Sequence, residues 1–318
     1  QMADELCVVR SCVSDGINHS GGVCQMNTGS ILGGRPSLGS WVNYGLGSTN
    51  ENLPGYVVML DSTGGPISGA KNWTSGYMPA IYQGTVLRGE GPPILDLANP
   101  EGRSDGLQRA MLDRVKLWNS RHALLRSGNT ELESRIESYE LAYRMQSTAP
   151  EAVDLSGESK ETKELYGCDQ ERTREFGDKL LLARRLVERG VRFVQVWAGG
   201  WDHHQDIEDR LPERARDIDQ PLAAFIADLK LRNLFDETLV IWGGEFGRTP
   251  MVESNPALQR SRGRDHHPQA LSIWLAGGGI KPGITHGSTD ELGFHVAEKP
   301  VHVHDLQATI LHQLGLDH

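Results

Sequence analysis

The pattern of apolar and polar positions divides the chain into short continuous apolar runs and longer stretches with helical spacing. The runs are Leu6–Arg10, Val57–Leu60, Val191–Trp197, Thr238–Trp242 and Leu271–Leu275, each predominantly apolar. A run of four to seven such residues reads as a strand covered on both faces. Between them, Leu107, Met111, Val115 and Trp118 recur at steps of three and four, predicting a helix from Asp105 towards Met145, with a second across Leu132–Met145. Phe176, Leu180, Leu181, Ala183, Leu186 and Val187 mark a helix over Glu171–Arg189 that stops at Gly190, a favoured residue just past a helix end. Leu211–Arg232 and Leu306–Leu314 complete the helical stretches, whereas 62–100 is rich in Gly, Pro and Asn and reads as surface loop. Residues 148–170 are polar and aperiodic, which predicts a linker or mobile excursion.

Helices alternating with continuous apolar strands predict an α/β fold of three layers, a mainly parallel sheet with helices on both faces. The three runs after residue 190 are expected to share one sheet. The chain then forms a single domain over 1–318 with a helical insertion at 104–170. The strand at Leu6 starts with almost no lead-in, so an upstream N-terminal strand is expected to be lacking.

Composition narrows the function. The 318 residues are 38% hydrophobic and 23% charged, and 32 basic residues face 42 acidic ones for a formal charge of −10. No basic stripe is present, which argues against nucleic acid, and no apolar run approaches the ~20 residues of a membrane span. Gln1–Leu6 has neither the basic start nor the apolar core of a secretory signal. The four cysteines, Cys7, Cys12, Cys24 and Cys168, form no C-x-x-C pair, so a zinc ribbon is not indicated.

Chemistry gathers beside the apolar runs. Val191–Trp197 leads into Gly200, Trp201, Asp202, His203 and His204; Thr238–Trp242 leads into Glu245 and Arg248; Arg264, Asp265, His266 and His267 precede Leu271. Ligands of open α/β sheets collect at the carboxyl ends of strands. Carboxylates and imidazoles converging there suit a divalent ion, with Asp202, His204, Glu245 and either His266 or His267 as ligands. His203 reads as solvated, and Asp265 as a group that orients a ligand histidine. Glu245 has two readings: an ion pair with Arg248, or a metal ligand that leaves Arg248 for an anionic substrate. Asp305 lies near the start of the last helix and reads as a cap rather than a ligand, despite His302 and His304 beside it.

Near the N-terminus, the polar turn Ser14–Ser20 opens onto a helix at Val23–Thr28. Free N–H groups at such a turn attract anions. Ser14 is a candidate nucleophile and His19 a candidate oxyanion holder, nucleophile or ligand. The plainer reading is a helix cap by Asn18 or Ser20.

Taken together, these stretches resemble the bacterial sulfatase-like family catalogued as domain of unknown function 1501, within the alkaline phosphatase and sulfatase superfamily. The resemblance lies in Asn18-His19 with Gln25–Ser30, Gly34-Arg35-Pro36-Ser37, Gly39–Val42, Gly199–Asp202 with His204, Gly244–Pro250, Arg264–His267 and His304–Thr309. It implies an alkaline phosphatase-like fold and export to the periplasm or outside. Two departures stand out. Glu245-Phe246-Gly247 carries Phe246 where the superfamily's Asp-His-Gly has a metal-binding histidine, and no Cys/Ser-x-Pro/Ala-x-Arg motif is present for formylglycine chemistry.

The expected function is metal-dependent hydrolysis of phosphate or sulfate esters, with zinc, calcium or manganese held by Asp202, His204, Glu245 and His266 or His267. Ser14, His19 and Arg248 are the expected catalytic side chains. The substrate would be a small anionic ester or a sulfated or phosphorylated glycan. The alternative is a non-catalytic binding or scaffold protein on the same fold with a degenerate site.

Overall fold

A computed structural model describes residues 2–317 apart from 90, 92, 96, 127, 128 and 259. In chain order the first half contains β1 (Leu6–Val13), α1 (His19–Thr28), α2 (Leu38–Leu46), β2 (Tyr56–Met59), β3 (Thr85–Leu87), α3 (Asp105–Leu124), α4 (Thr130–Val153), α5 (Lys160–Leu165) and α6 (Arg174–Glu188). Next come β4 (Phe193–Val196), α7 (Ile207–Leu231), β5 (Val240–Trp242), β6 (Gly247–Arg248), β7 (Glu253–Asn255), β8 (Arg260–Gly263) and β9 (His266–His267). The chain closes through β10 (Leu271–Ala276), β11 (Ile284–His286), β12 (Ser288–Thr289), β13 (Val296–Glu298), β14 (Val301–His302) and α8 (Val303–Gln313).

The architecture is mixed α/β. β2 is the centre of a wholly parallel three-stranded sheet in the order β3-β2-β4, and all four of its residues are buried. The larger sheet runs β11-β1-β10-β5, with β14 also on β1. Here β1 is parallel to β11 and β14, while β10 is antiparallel to both β1 and β5. The three apolar strands after residue 190 therefore do not share one sheet: β4 joins β2, and β5 joins β10. Consistent with that split, β4 and β5 each pair on one side and neither is fully buried, despite their continuous apolar sequence. A single mainly parallel sheet is thus replaced by a parallel sheet and a mixed one.

α6 and α7 cover both. Leu180, Leu181, Leu186, Phe225 and Leu229 form one core with Val57 and Met59 of β2 and Ala276 of β10. A second core packs Cys7, Val9 and Cys12 of β1 and Leu271, Ile273 and Leu275 of β10 against Leu306 and Ile310 of α8. The cysteines of β1 thus behave as small core hydrophobes. The segment 148–170 is ordered structure rather than a linker. α4 continues to Val153, Ala149, Ala152 and Tyr166 are fully buried, and the Tyr166 hydroxyl donates to Asp228. Its polar side chains concealed a few small residues that sit flat against α6.

Strand direction determines which side chains meet. Since β10 is antiparallel to both neighbours, β1 and β5 run the same way and end at the same edge. β10 begins at that edge. Residues that follow β1 and β5 therefore converge with residues that precede β10.

Candidate functional site

His19 is the first residue of α1, a helix capped by the Asn18 side chain accepting from the Gly21 N–H. Gly22, one turn on, lets this helix press against the loop after β5: a Cβ there would lie 2.9 Å from Phe246 Cδ1 and 3.2 Å from Glu245 Cγ. His19 Nδ1 consequently reaches Glu245 Oε1 at 2.6 Å, and its Nε2 lies 3.1 Å from Asp202 Oδ2. Asp202 comes from the loop after β4. Asp61, buried at the end of β2, anchors that loop by accepting the Gly199 N–H at 2.9 Å.

The other Asp202 oxygen is more crowded. Oδ1 has Arg248 Nη2 at 2.7 Å, His204 Nε2 at 3.0 Å and His266 Nε2 at 3.2 Å. The two Nε2 atoms are themselves 3.2 Å apart. β6 and β9 pair antiparallel with Arg248 opposite His266, which brings those two side chains to the same place. The remaining ring nitrogens are already committed. His204 Nδ1 donates to Glu253 Oε2 at 2.6 Å, and His266 Nδ1 donates to the Ile17 carbonyl at 2.9 Å. Glu253 in turn is held by Arg260 Nη1 at 3.0 Å. Both Nε2 atoms face the same carboxylate oxygen.

Burial works against ionisation of Asp202, yet the hydrogen bond and charge of Arg248, with His19 and His266 alongside, hold its carboxyl well below the usual range. Its side chain is 44% exposed, so the cluster opens to solvent on this side. The Phe246 ring lies against the rings of His266 (4.3 Å between centroids) and His19 (5.3 Å), forming one apolar wall.

These residues fit a divalent ion. His19, Asp202 and His266 offer donor atoms within 4.8 Å of one another, as do His204, Asp265 and His266. Bonds of about 2 Å in a tetrahedral zinc site put ligand atoms about 3.3 Å apart, close to the spacings around Asp202 Oδ1. A ligand histidine that donates its other N–H to a carboxylate or carbonyl is the usual supporting arrangement of such sites. His204 and His266 both have it.

Several expectations change. His267, next to His266 on a strand, points the other way; it is buried, and its Nε2 bonds the Phe294 carbonyl. His266 is therefore the member of the pair in the cluster. His203 is buried rather than solvated, because the strand at Gly263–Arg264 covers its backbone and the Arg264 N–H bonds its carbonyl. Burial and the Arg248 charge lower its imidazole below the ordinary value, leaving it neutral. Arg248 pairs with Asp202, not with Glu245, whose partner is His19. Ser14 is buried at the end of β1, its hydroxyl has no partner among the described residues, and nothing joins it to the cluster. As expected, Asp305 caps α8, accepting the His302 N–H while the His302 ring accepts from the helix.

Sequence reasoning missed Glu253, Arg260, Asp61 and the Ile17 carbonyl. The first three look like ordinary surface charges in sequence. Two of them carried a signal: Asp61 directly follows the apolar run Val57–Leu60, and Glu253 follows the apolar pair Met251-Val252.

No curated protein and no solved structure matches the chain. The model of one family, described as a protein of unknown function (DUF1501), matches residues 1–318. The chain belongs to the DUF1501 family, and the histidine–carboxylate cluster is its candidate active centre.

Proposed function

We propose that the protein is a metal-dependent hydrolase of phosphate or sulfate esters. The observation that carries this reading is the meeting of two imidazole nitrogens and one carboxylate oxygen, those of His204, His266 and Asp202. Their spacings of 3.0–3.2 Å are those of ligand atoms around a tetrahedral ion. Two neutral imidazoles with a carboxylate suit zinc better than calcium, which prefers oxygen ligands. When bound, such an ion polarises an ester oxygen and makes a hydroxyl a stronger nucleophile at neutral pH.

The chain's own residues supply the rest. No hydroxyl side chain hydrogen-bonds His19, Asp202, Glu245 or His266 among the described residues, so water is the attacking group in this reading. His19 Nε2 takes its proton, while Glu245 orients the ring through Nδ1. Arg248, a fixed positive charge beside Asp202, receives the anionic group of the ester.

A second reading, a binding protein on the same fold, is favoured by Phe246, whose ring fills the wall between His19 and His266 with no donor atom. Elemental analysis of protein made without a polyhistidine tag tests both. The hydrolase reading expects close to one zinc-class ion per chain, lost in the His204→Ala/His266→Ala variant, with turnover of aryl phosphate or aryl sulfate. A bound ion without turnover of either ester leaves the second reading; an ion-free protein that stays so after soaking in zinc overturns the first.

A further inference from the structure

α3 packs on α4 through Gln108, Leu112, Val115, Asn119 and Ala123, which are half-buried at helical spacing. Arg109 fastens the pair from α3, its guanidinium 2.9 Å from Glu140 and over the Tyr143 ring. The C-terminal half of α4 is embedded in the core through Met145, Ala149 and Ala152, so the hairpin's far end at Leu124–Leu125 projects from the body. A second stripe of α3 lies about 120° round the helix from this packed face. Leu107, Met111, Arg114, Trp118, Arg121 and Leu125 follow one another at steps of three and four, and all are exposed. Leu107 is 51% exposed, Trp118 59% and Leu125 83%. Leu117 and Leu124 widen the same face. A helix with apolar residues on two faces has a partner on each.

We propose that this face pairs with a second copy of the chain, two α3 helices lying antiparallel about a two-fold axis near Lys116. The stripe is self-complementary in that direction. Leu107 meets Leu125 of the other copy, Met111 meets the stem of Arg121, and Arg114 lies over Trp118, an arginine–aromatic contact. A two-fold interface needs this property, because each contact occurs twice with the roles exchanged.

Area agrees. A stable interface needs about 800 Å² from each partner. Trp118 alone offers roughly 100 Å² in its exposed fraction, and the four exposed leucines and Met111, together with the arginine stems, extend that towards the required scale.

The test uses the whole chain. Sedimentation equilibrium at micromolar concentration is expected to return a dimer, with Trp118→Glu/Leu125→Glu shifting the dissociation constant at least 100-fold. Both positions are exposed, so circular dichroism should show an unchanged fold. Oxidation of Leu107→Cys/Leu125→Cys is expected to link two chains, whereas Leu125→Cys alone stays unlinked. A wild-type monomer at 100 micromolar, a dimer untouched by the glutamates, or linkage through Leu125→Cys alone overturns the proposal. So does a monomer that floats with phosphatidylserine vesicles in a Trp118-dependent manner.

Discussion

Between α6 and α7, Arg184 is enclosed by Glu158, Glu188 and Asp228; at the strand ends, Asp202 is enclosed by three histidines and one arginine. Both clusters are dense, and both join segments far apart in sequence. In the first, one buried cation is surrounded by carboxylates. Arg184 bonds Glu158 at 2.6 Å and Glu188 at 2.7 Å and lies 3.0 Å from Asp228. Arg232 bonds Asp228 and Glu188 in turn, and Arg185 takes the second oxygen of Glu158. In the second, a half-exposed carboxylate gathers imidazole nitrogens. Arg248, His204 and His266 converge on one oxygen of Asp202, and His19 lies by the other. A buried cluster of arginines and carboxylates holds helices together. A solvent-open cluster of imidazoles on one carboxylate has the donor set of a metal site, and that distinction separates structure from function here better than the number of charges does.

The sharpest way to break the comparison is to disturb the buried network. Arg184 is 2% exposed, and Arg184→Met leaves Glu158, Glu188 and Asp228 with Arg185 or Arg232 as the only bonded arginine; a loss of this kind costs up to about 3–5 kcal/mol. Urea unfolding should register that loss with metal content unaltered. The same network has a pH signature. Burial raises the Glu158 carboxyl, but the bonds from Arg184 and Arg185 outweigh it and leave the group below its ordinary value. A depressed carboxyl stabilises the fold above its unfolded value and loses that contribution as pH falls through the folded one. Wild-type stability should therefore decline below about pH 4, and the decline should be shallower in Arg184→Met. An equally steep acid limb in the variant would remove the network from the explanation.

At the strand ends the opposite result is expected. Asp202→Asn keeps the shape and one acceptor oxygen for Arg248 but removes the charge on which His204 and His266 converge. Folding stability should move by less than about 1 kcal/mol, since Asp202 is half-exposed. Ion affinity should fall by more than about 100-fold, beyond the loss typical of a supporting residue. A variant that binds metal as wild type does, measured by calorimetric titration of the apo protein, would show that Asp202 belongs with the ordinary ion pairs.

Much of this was written in the sequence. Apolar runs located β1, β2, β4, β5 and β10, and the acid–histidine groups beside them supplied Asp202, His204, Glu245, Arg248 and His266. Direction was not legible. A continuous apolar run reads the same whether a strand is parallel or antiparallel, so the sequence does not explain why His266, before β10, joins residues that follow other strands; β10 runs against its neighbours. Sheet membership failed for the same reason, since period says a strand is covered but not by which partner. His266 and His267 could not be separated because the distinction lies in the facing of one short strand. Glu253 and Ile17 act through single hydrogen bonds across long loops, which no spacing encodes.

Glu253 offers the finest test of the comparison, because it resembles both clusters. Like the carboxylates around Arg184 it is 9% exposed and bonded by an arginine, Arg260. Like the ligand groups it touches the histidine cluster, through His204 Nδ1. Glu253→Gln keeps the shape and one acceptor oxygen but removes the charge that makes His204 Nε2 a strong donor towards a metal. Ion affinity should drop about 10–100-fold, the range seen for supporting partners of ligand histidines. If instead the variant loses several kcal/mol of stability and keeps its ion affinity, Glu253 is part of the scaffold, and the boundary between the two kinds of cluster runs between it and His204.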